Sequence, residues 1–165
     1  MEQETILILD FGGQYKQLIA RRVRECQVYS EILPHTTPIA ELRARAPKGI
    51  ILTGGPNSVY DPASPTCSAE LFSLGVPVLG ICYGAQLMAH VLGGQVAPAM
   101  TSEYGGTVLY IDRGDSPLLT DVPKETTCWM SHTDRITSAP SGFTVTAHTP
   151  DCPIVSNFLV RPASS

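Results

Sequence analysis

The chain has 165 residues, 43% of them hydrophobic and 16% charged, with a net charge of −4. That length suits one domain with room for a sizeable core, and the acidic balance excludes a basic nucleic-acid footprint or a polybasic membrane surface. No apolar run approaches the roughly 18 residues of a membrane span. The acidic start, followed by the short run Ile6 to Leu9, does not read as a signal peptide. Five cysteines show no CxxC or Cys/His metal spacing, which points to a reducing, cytoplasmic setting and to no metal site.

In chain order, Thr5 to Asp10 is a continuous apolar run of the kind buried on both faces of a parallel sheet. Gln14 to Cys26 carries Tyr15, Leu18, Ile19, Val23 and Cys26 at helical spacing, with arginines between them. Val28 to Leu33 is a second strand, closed by Pro34, and Pro38 to Arg45 a short helix with Pro in its first turn. Gly49 to Thr53 is a third strand running into Gly54-Gly55-Pro56. A helix is expected over Ser68 to Leu74, a fourth strand over Val76 to Ile81, and a helix over Tyr83 to Leu92, closed by Gly93-Gly94. This alternation predicts an α/β fold with a doubly wound, mostly parallel sheet and flanking helices. Beyond Gln95 the pattern changes. Thr107 to Asp112, Cys128 to Met130 and Phe143 to Ala147 are short strands of a small antiparallel addition, and Ser156 to Ser165 has no clear pattern.

The most informative stretch is Gly80-Ile81-Cys82-Tyr83-Gly84-Ala85-Gln86. A buried strand runs into a residue with Gly two positions away on each side, and a helix begins at once. This is the mechanical logic of a nucleophile elbow at the carboxyl edge of the sheet. The helix N-terminus would lower the thiol pKa and offer the Tyr83 N–H to a developing oxyanion. A buried structural Cys at a tight turn reads equally well from that stretch alone. Gly54-Gly55-Pro56-Asn57-Ser58 lies at the same edge, where its backbone N–H groups could complete an oxyanion hole, or where it is a plain strand-to-helix turn. Cys26, Cys67, Cys128 and Cys152 lack the elbow context and read as structural.

Several stretches together resemble the class I glutamine amidotransferase domains of GMP synthases. They are Ile8 to Tyr15 with Ala20 to Glu25, Gly49 to Pro56, Gly80 to Gln86, Glu103-Tyr104-Gly105, and Trp129 to Asp134. The likeness covers about residues 5 to 154. It implies one amidotransferase domain over residues 1–165, incomplete at its C-terminus, that attacks the glutamine side-chain amide through a Cys thioester. By position it implies Cys82 as nucleophile, Gly55 and Tyr83 as oxyanion-hole donors, and Gln86, Ser131 and His132 as glutamine-binding residues. It implies no cofactor in this domain. Ammonia would pass to a synthetase domain, in cis or as a separate subunit, that uses ATP and Mg to aminate XMP to GMP.

The chain departs from the family in one respect. The family's base and orienting acid form a His-x-Glu pair after a late strand, and these 165 residues contain no such pair. Among His35, His90, His132 and His148, only His132 has an acid two residues on, Asp134, and that pair lies in the Trp-Met-Ser-His segment. Impaired activity is therefore expected, and a non-catalytic glutamine-binding or regulatory module stands as the alternative.

Overall fold

The computed structural model describes residues 3–159 and divides the chain into two compact units, at Val91/Leu92. The first unit holds β1 (Thr5–Asp10), α1 (Lys16–Glu25), β2 (Tyr29–Pro34), α2 (Ile39–Ala44), β3 (Gly49–Leu52), a 3₁₀ turn (Ala69–Ser73), β4 (Val78–Gly80) and α3 (Tyr83–Val91). All strand pairs are parallel, in the order β2-β1-β3-β4, with Ile8 opposite Ile32 and Ile51 opposite Leu79.

β1 is central because both of its faces are apolar: Leu7, Ile8 and Leu9 are all fully buried. Leu7 and Leu9 join Phe11, Leu33, Leu42, Ile50, Leu52, Leu71, Tyr83 and Leu87 in one core. Each such side chain contributes about 1.5–3 kcal/mol on leaving water. α1 packs its small Ala20 inward, and the buried Ser30 hydroxyl donates to the Ala20 carbonyl at 2.9 Å. Arg22 and Arg24 in its last turn complement the negative helix end. Gln27, left-handed at φ 65°, ends it.

From β1 the chain is wound first to β2 on one side and then, through β3, to the other. In sheets of this kind ligands bind outside the carboxyl ends of the strands flanking that reversal. Here those ends are the turns after β1 and β3, and the turn after β4 lies beside that of β3.

The second unit contains β5 (Gln95–Ile111), β6 (Glu125–Ser138), β7 (Phe143–His148) and β8 (Ser156–Leu159), antiparallel in the order β6-β5-β7-β8. β5 and β6 form a long ribbon, with Gly106 opposite Trp129 and a bulge between Pro98 and Glu103. Val96, Ile136, Ala147, Cys152 and Ile154 are buried in this unit. The small antiparallel addition expected from sequence is thus a full four-stranded sheet, in which β5 and β6 are far longer than the expected fragments while β7 matches its expected span to within one residue. The stretch from Ser156, read as patternless, supplies β8; residues 160–165 lie outside the described residues.

Candidate active site

The strand-to-helix turn after β4 has the geometry of an elbow. Cys82 takes a φ of 51°, a left-handed conformation that costs a non-glycine residue about 1–2 kcal/mol. The flanking glycines make the turn feasible. A Cβ on Gly80 would lie 2.6 Å from the Ala85 Cα and backbone N, and one on Gly84 would lie 2.4 Å from the Leu52 carbonyl oxygen. The Gly84 N–H donates to the carbonyls of both Ile81 (3.0 Å) and Thr53 (3.1 Å), and Gln86 N–H donates to the Cys82 carbonyl at 3.1 Å. The elbow is thereby tied to the end of β3 while α3 begins.

The turn after β3 faces it. A Cβ on Gly54 would sit 3.4 Å from the Cys82 Cβ, and one on Gly55 would sit 2.4 Å from the Phe11 carbonyl and 3.7 Å from Tyr83 Cδ1. The turn after β1 closes on the same place, since a Cβ on Gly13 would overlap the Gly54 carbonyl oxygen at 2.4 Å. The Tyr83 side chain is buried, its ring 5.9 Å from that of Phe11 and its hydroxyl donating to the Pro65 carbonyl. Its backbone N–H stands at the first turn of α3, where a helix has no internal acceptor. Among the described residues, neither that N–H nor the Gly55 N–H has a hydrogen-bond acceptor. Gln86 lies one turn after Cys82 on the same helical face.

Cys82 keeps solvent access, yet burial of its thiol pushes the pKa up. This runs against the lowering expected from the helix terminus. Desolvation acts on the sulfur directly, while the helix end supplies only a partial charge.

Ser131 and His132 lie in the second unit, on opposite faces of β6. Ser131 is exposed and paired with Tyr104, while His132 is half-buried. His132 Nδ1 donates to the Asp134 backbone carbonyl at 2.7 Å. The structure therefore brings Gly55, Cys82, Tyr83 and Gln86 together in the first unit and sets Ser131 and His132 next to each other along β6 in the second.

The remaining histidines have their own neighbours. His35 Nδ1 donates to the Asp10 carbonyl at 3.2 Å and its ring stacks on Phe11 at 5.5 Å. His90 meets the edge of Tyr60 at 5.3 Å. His148 Nδ1 contacts Asp112 Oδ2 at 2.8 Å and stacks on Tyr110 at 5.3 Å. That last His–carboxylate pair was missed by sequence reasoning, because its members are 36 positions apart and no local spacing links them. Thr53 was missed as well. A threonine ending a strand reads as an ordinary β-former, and only its place before Gly-Gly hints at more. No group of three or more His, Cys, Asp or Glu suited to a metal occurs among the described residues. No helix among them is long and apolar enough to cross a membrane.

Comparisons with known proteins point to one family. The chain is 57% identical over 156 residues to the glutamine-hydrolysing GMP synthase of Lachnospira eligens, covering 94% of this chain and 30% of that protein. It is 56% identical to that of Clostridium perfringens, covering 93% of this chain and again 30% of the relative. The chain thus spans about 30% of the length of the curated relatives it matches. The crystal structure of a GMP synthase candidate from Thermoplasma acidophilum superposes with a TM-score of 0.82 at 28% identity, over 96% of this chain and 79% of that one. A glutamine amidotransferase from Thermotoga maritima shares the fold, with a TM-score of 0.67 at 18% identity over 92% of this chain and 70% of that one. The sequence profile of the family described as "Glutamine amidotransferase class-I" matches residues 7–158. With a left-handed cysteine between two obligatory glycines at the carboxyl edge of a parallel sheet, and a family profile running almost its whole length, the chain belongs to the class-I glutamine amidotransferases.

Proposed function

We propose that the chain is the amidotransferase part of a GMP synthase, with both compact units belonging to one domain. The observation that carries the reading is the Cys82 elbow packed face to face with Gly54-Gly55. The Cys82 thiolate attacks the side-chain carbonyl carbon of glutamine. A C–S bond forms, and the oxygen takes on negative charge opposite the Gly55 and Tyr83 N–H groups. The C–N bond then breaks, the nitrogen gains a proton and leaves as ammonia, and water cleaves the thioester to glutamate. Gln86, Ser131 and His132 bind the substrate. Acyl transfer to a thiol followed by hydrolysis requires no cofactor.

Ammonia passes to a synthetase domain, in the same polypeptide or on a separate one, that consumes ATP with Mg and aminates XMP to GMP. The names of the relatives and the 30% share of their length support this. Five free cysteines, without disulfides, accord with a cytoplasmic location.

These 165 residues by themselves turn glutamine over slowly. They hold no His-x-Glu pair, and burial of the Cys82 thiol pushes its pKa up, away from the thiolate. Losing one member of a nucleophile–base–acid unit costs several powers of ten. The same two observations favour, as a second reading, a glutamine-binding module without turnover. Glutamate release by the purified chain, beside Cys82→Ala, separates the two. Slow release that disappears in the variant supports the enzyme. Saturable glutamine binding with identical background release in both supports the module. Release on the order of 1 per second or faster would show that another residue acts as base, with His132 the first to replace.

A further inference from the structure

Thr53 joins all three turns at the carboxyl edge of the first sheet. It is buried, at 1% exposure. Its hydroxyl accepts from the Phe11 N–H at 2.9 Å and donates to the Gly54 carbonyl at 3.1 Å. Its own carbonyl accepts from the Gly84 N–H at 3.1 Å, and its N–H donates to the Leu9 carbonyl at 3.2 Å. One residue therefore touches the turn after β1, the turn after β3 and the elbow after β4.

The bond to the Gly54 carbonyl has a directional consequence. A trans peptide is planar, with its C=O and the following N–H pointing opposite ways. Holding the Gly54 oxygen against the Thr53 hydroxyl fixes the direction of the Gly55 N–H at the other end of the same peptide. Glycines on both sides leave that peptide little intrinsic preference of its own. The Phe11 N–H in turn occupies the hydroxyl's acceptor side, which leaves its proton for Gly54.

We propose that Thr53 is the positioning residue of the oxyanion hole: its hydroxyl locks the Gly54–Gly55 peptide in the orientation that presents the Gly55 N–H. This rests on the reading of Gly55 as an oxyanion donor. Thr53 touches neither substrate nor reacting atoms and acts through the peptide it holds.

The test compares two probes of Cys82 on the full 165-residue chain, read by mass spectrometry. A glutamine-shaped chloromethyl ketone forms a C–S bond with loss of chloride and places its ketone oxygen where the oxyanion would be. Iodoacetamide alkylates the same sulfur and does not use the oxyanion hole. Thr53→Val keeps the shape and removes the hydroxyl; Thr53→Ser keeps the hydroxyl. The expected result is a fall of about tenfold or more in the chloroketone rate for Thr53→Val, a fraction of what losing a whole oxyanion donor costs. Its iodoacetamide rate and the chloroketone rate of Thr53→Ser should stay near wild type. Should Thr53→Val fail to fold, Thr53→Ala is read in its place. An unchanged chloroketone rate without the hydroxyl would overturn the proposal, as would an equal fall with both probes. If the chloroketone does not prefer Cys82 over the other four cysteines in the unmodified chain, the glutamine-site reading fails and the Thr53 role fails with it.

Discussion

The two units place their chemistry by different means. In the first, the candidate groups are main-chain atoms, one thiol and the Gln86 side chain, set around three turns so tightly packed that a single added methyl at Gly13, Gly55, Gly80 or Gly84 would overlap backbone. In the second, candidate residues sit on a long antiparallel ribbon, where position follows only from alternation and register. There a Cβ on Gly106 would meet nothing closer than the Thr127 Cγ2 at 3.6 Å. The contrast is between a site specified by steric necessity and a surface specified by strand pairing. The first kind leaves a signature in sequence because only glycine satisfies it. The second leaves little, because many side chains fit.

That difference explains what could be read in advance. β1, α1, β2, α2, β3, β4 and α3 appear where hydrophobic periodicity puts them, with ends shifted by a few residues. The helix expected over Ser68 to Leu74 is a 3₁₀ turn instead. Ser68 caps it by accepting from the Glu70 N–H at 3.2 Å, and Gly75 at φ 83° follows its end, so the segment is confined to a single short stretch. β5 and β6 are rich in Thr, Ser and Gly, with Pro98 and Gly105-Gly106 inside β5, so turn signals masked strands of 17 and 14 residues. At the candidate site the elbow was legible from glycine spacing. The thiol's raised pKa was not, because desolvation depends on what the fold packs around Cys82, such as Gly54 from the turn after β3.

The largest expected effect separates the elbow from every other thiol. Cys82→Ala should abolish labelling by a glutamine-shaped electrophile. Persistent labelling, mapped to Cys26, Cys67, Cys128 or Cys152, would remove the elbow from its assigned role. Next comes a direct test of the contrast between units. Gly84→Ala forces a Cβ to within 2.4 Å of the Leu52 carbonyl and should cost about 3 kcal/mol. Gly106→Ala meets only a methyl at 3.6 Å and should stay within about 0.5 kcal/mol. Urea midpoints of the two variants measure this, and similar values would break the comparison.

A smaller effect concerns the thiol itself. Its pKa lies above the ordinary 9.0 because burial disfavours the thiolate. Alkylation of Cys82 by iodoacetamide should therefore keep rising as pH passes 9 rather than levelling near neutrality. A plateau at about pH 7 would mean that the terminus of α3 outweighs desolvation, as the sequence alone suggested.

The smallest effect lies at the turn after β1. Lys16 Nζ meets Asp10 Oδ2 at 2.5 Å, and the Gly12 N–H donates to Asp10 Oδ1 at 2.8 Å. Chiefly through the Lys16 hydrogen bond, and against the opposing effect of burial, the carboxyl is held below its ordinary value of 3.8. A lowered folded-state pKa means that folding favours the ionised form. Its contribution is full above the unfolded value and is lost as pH falls through the folded one. Asp10→Asn keeps an oxygen for Gly12 but removes the charge that holds Lys16. Since the pair is partly exposed, the loss near neutrality should be about 1 kcal/mol or less. The gap in Tm between wild type and Asp10→Asn should hold from neutral pH down to about 4, narrow below that, and shrink in high salt. A gap that widens as the solution is acidified would mean that the ion pair does not anchor this turn, leaving the Phe11 N–H bond to Thr53 and the packing of Gly13 on Gly54 to hold it.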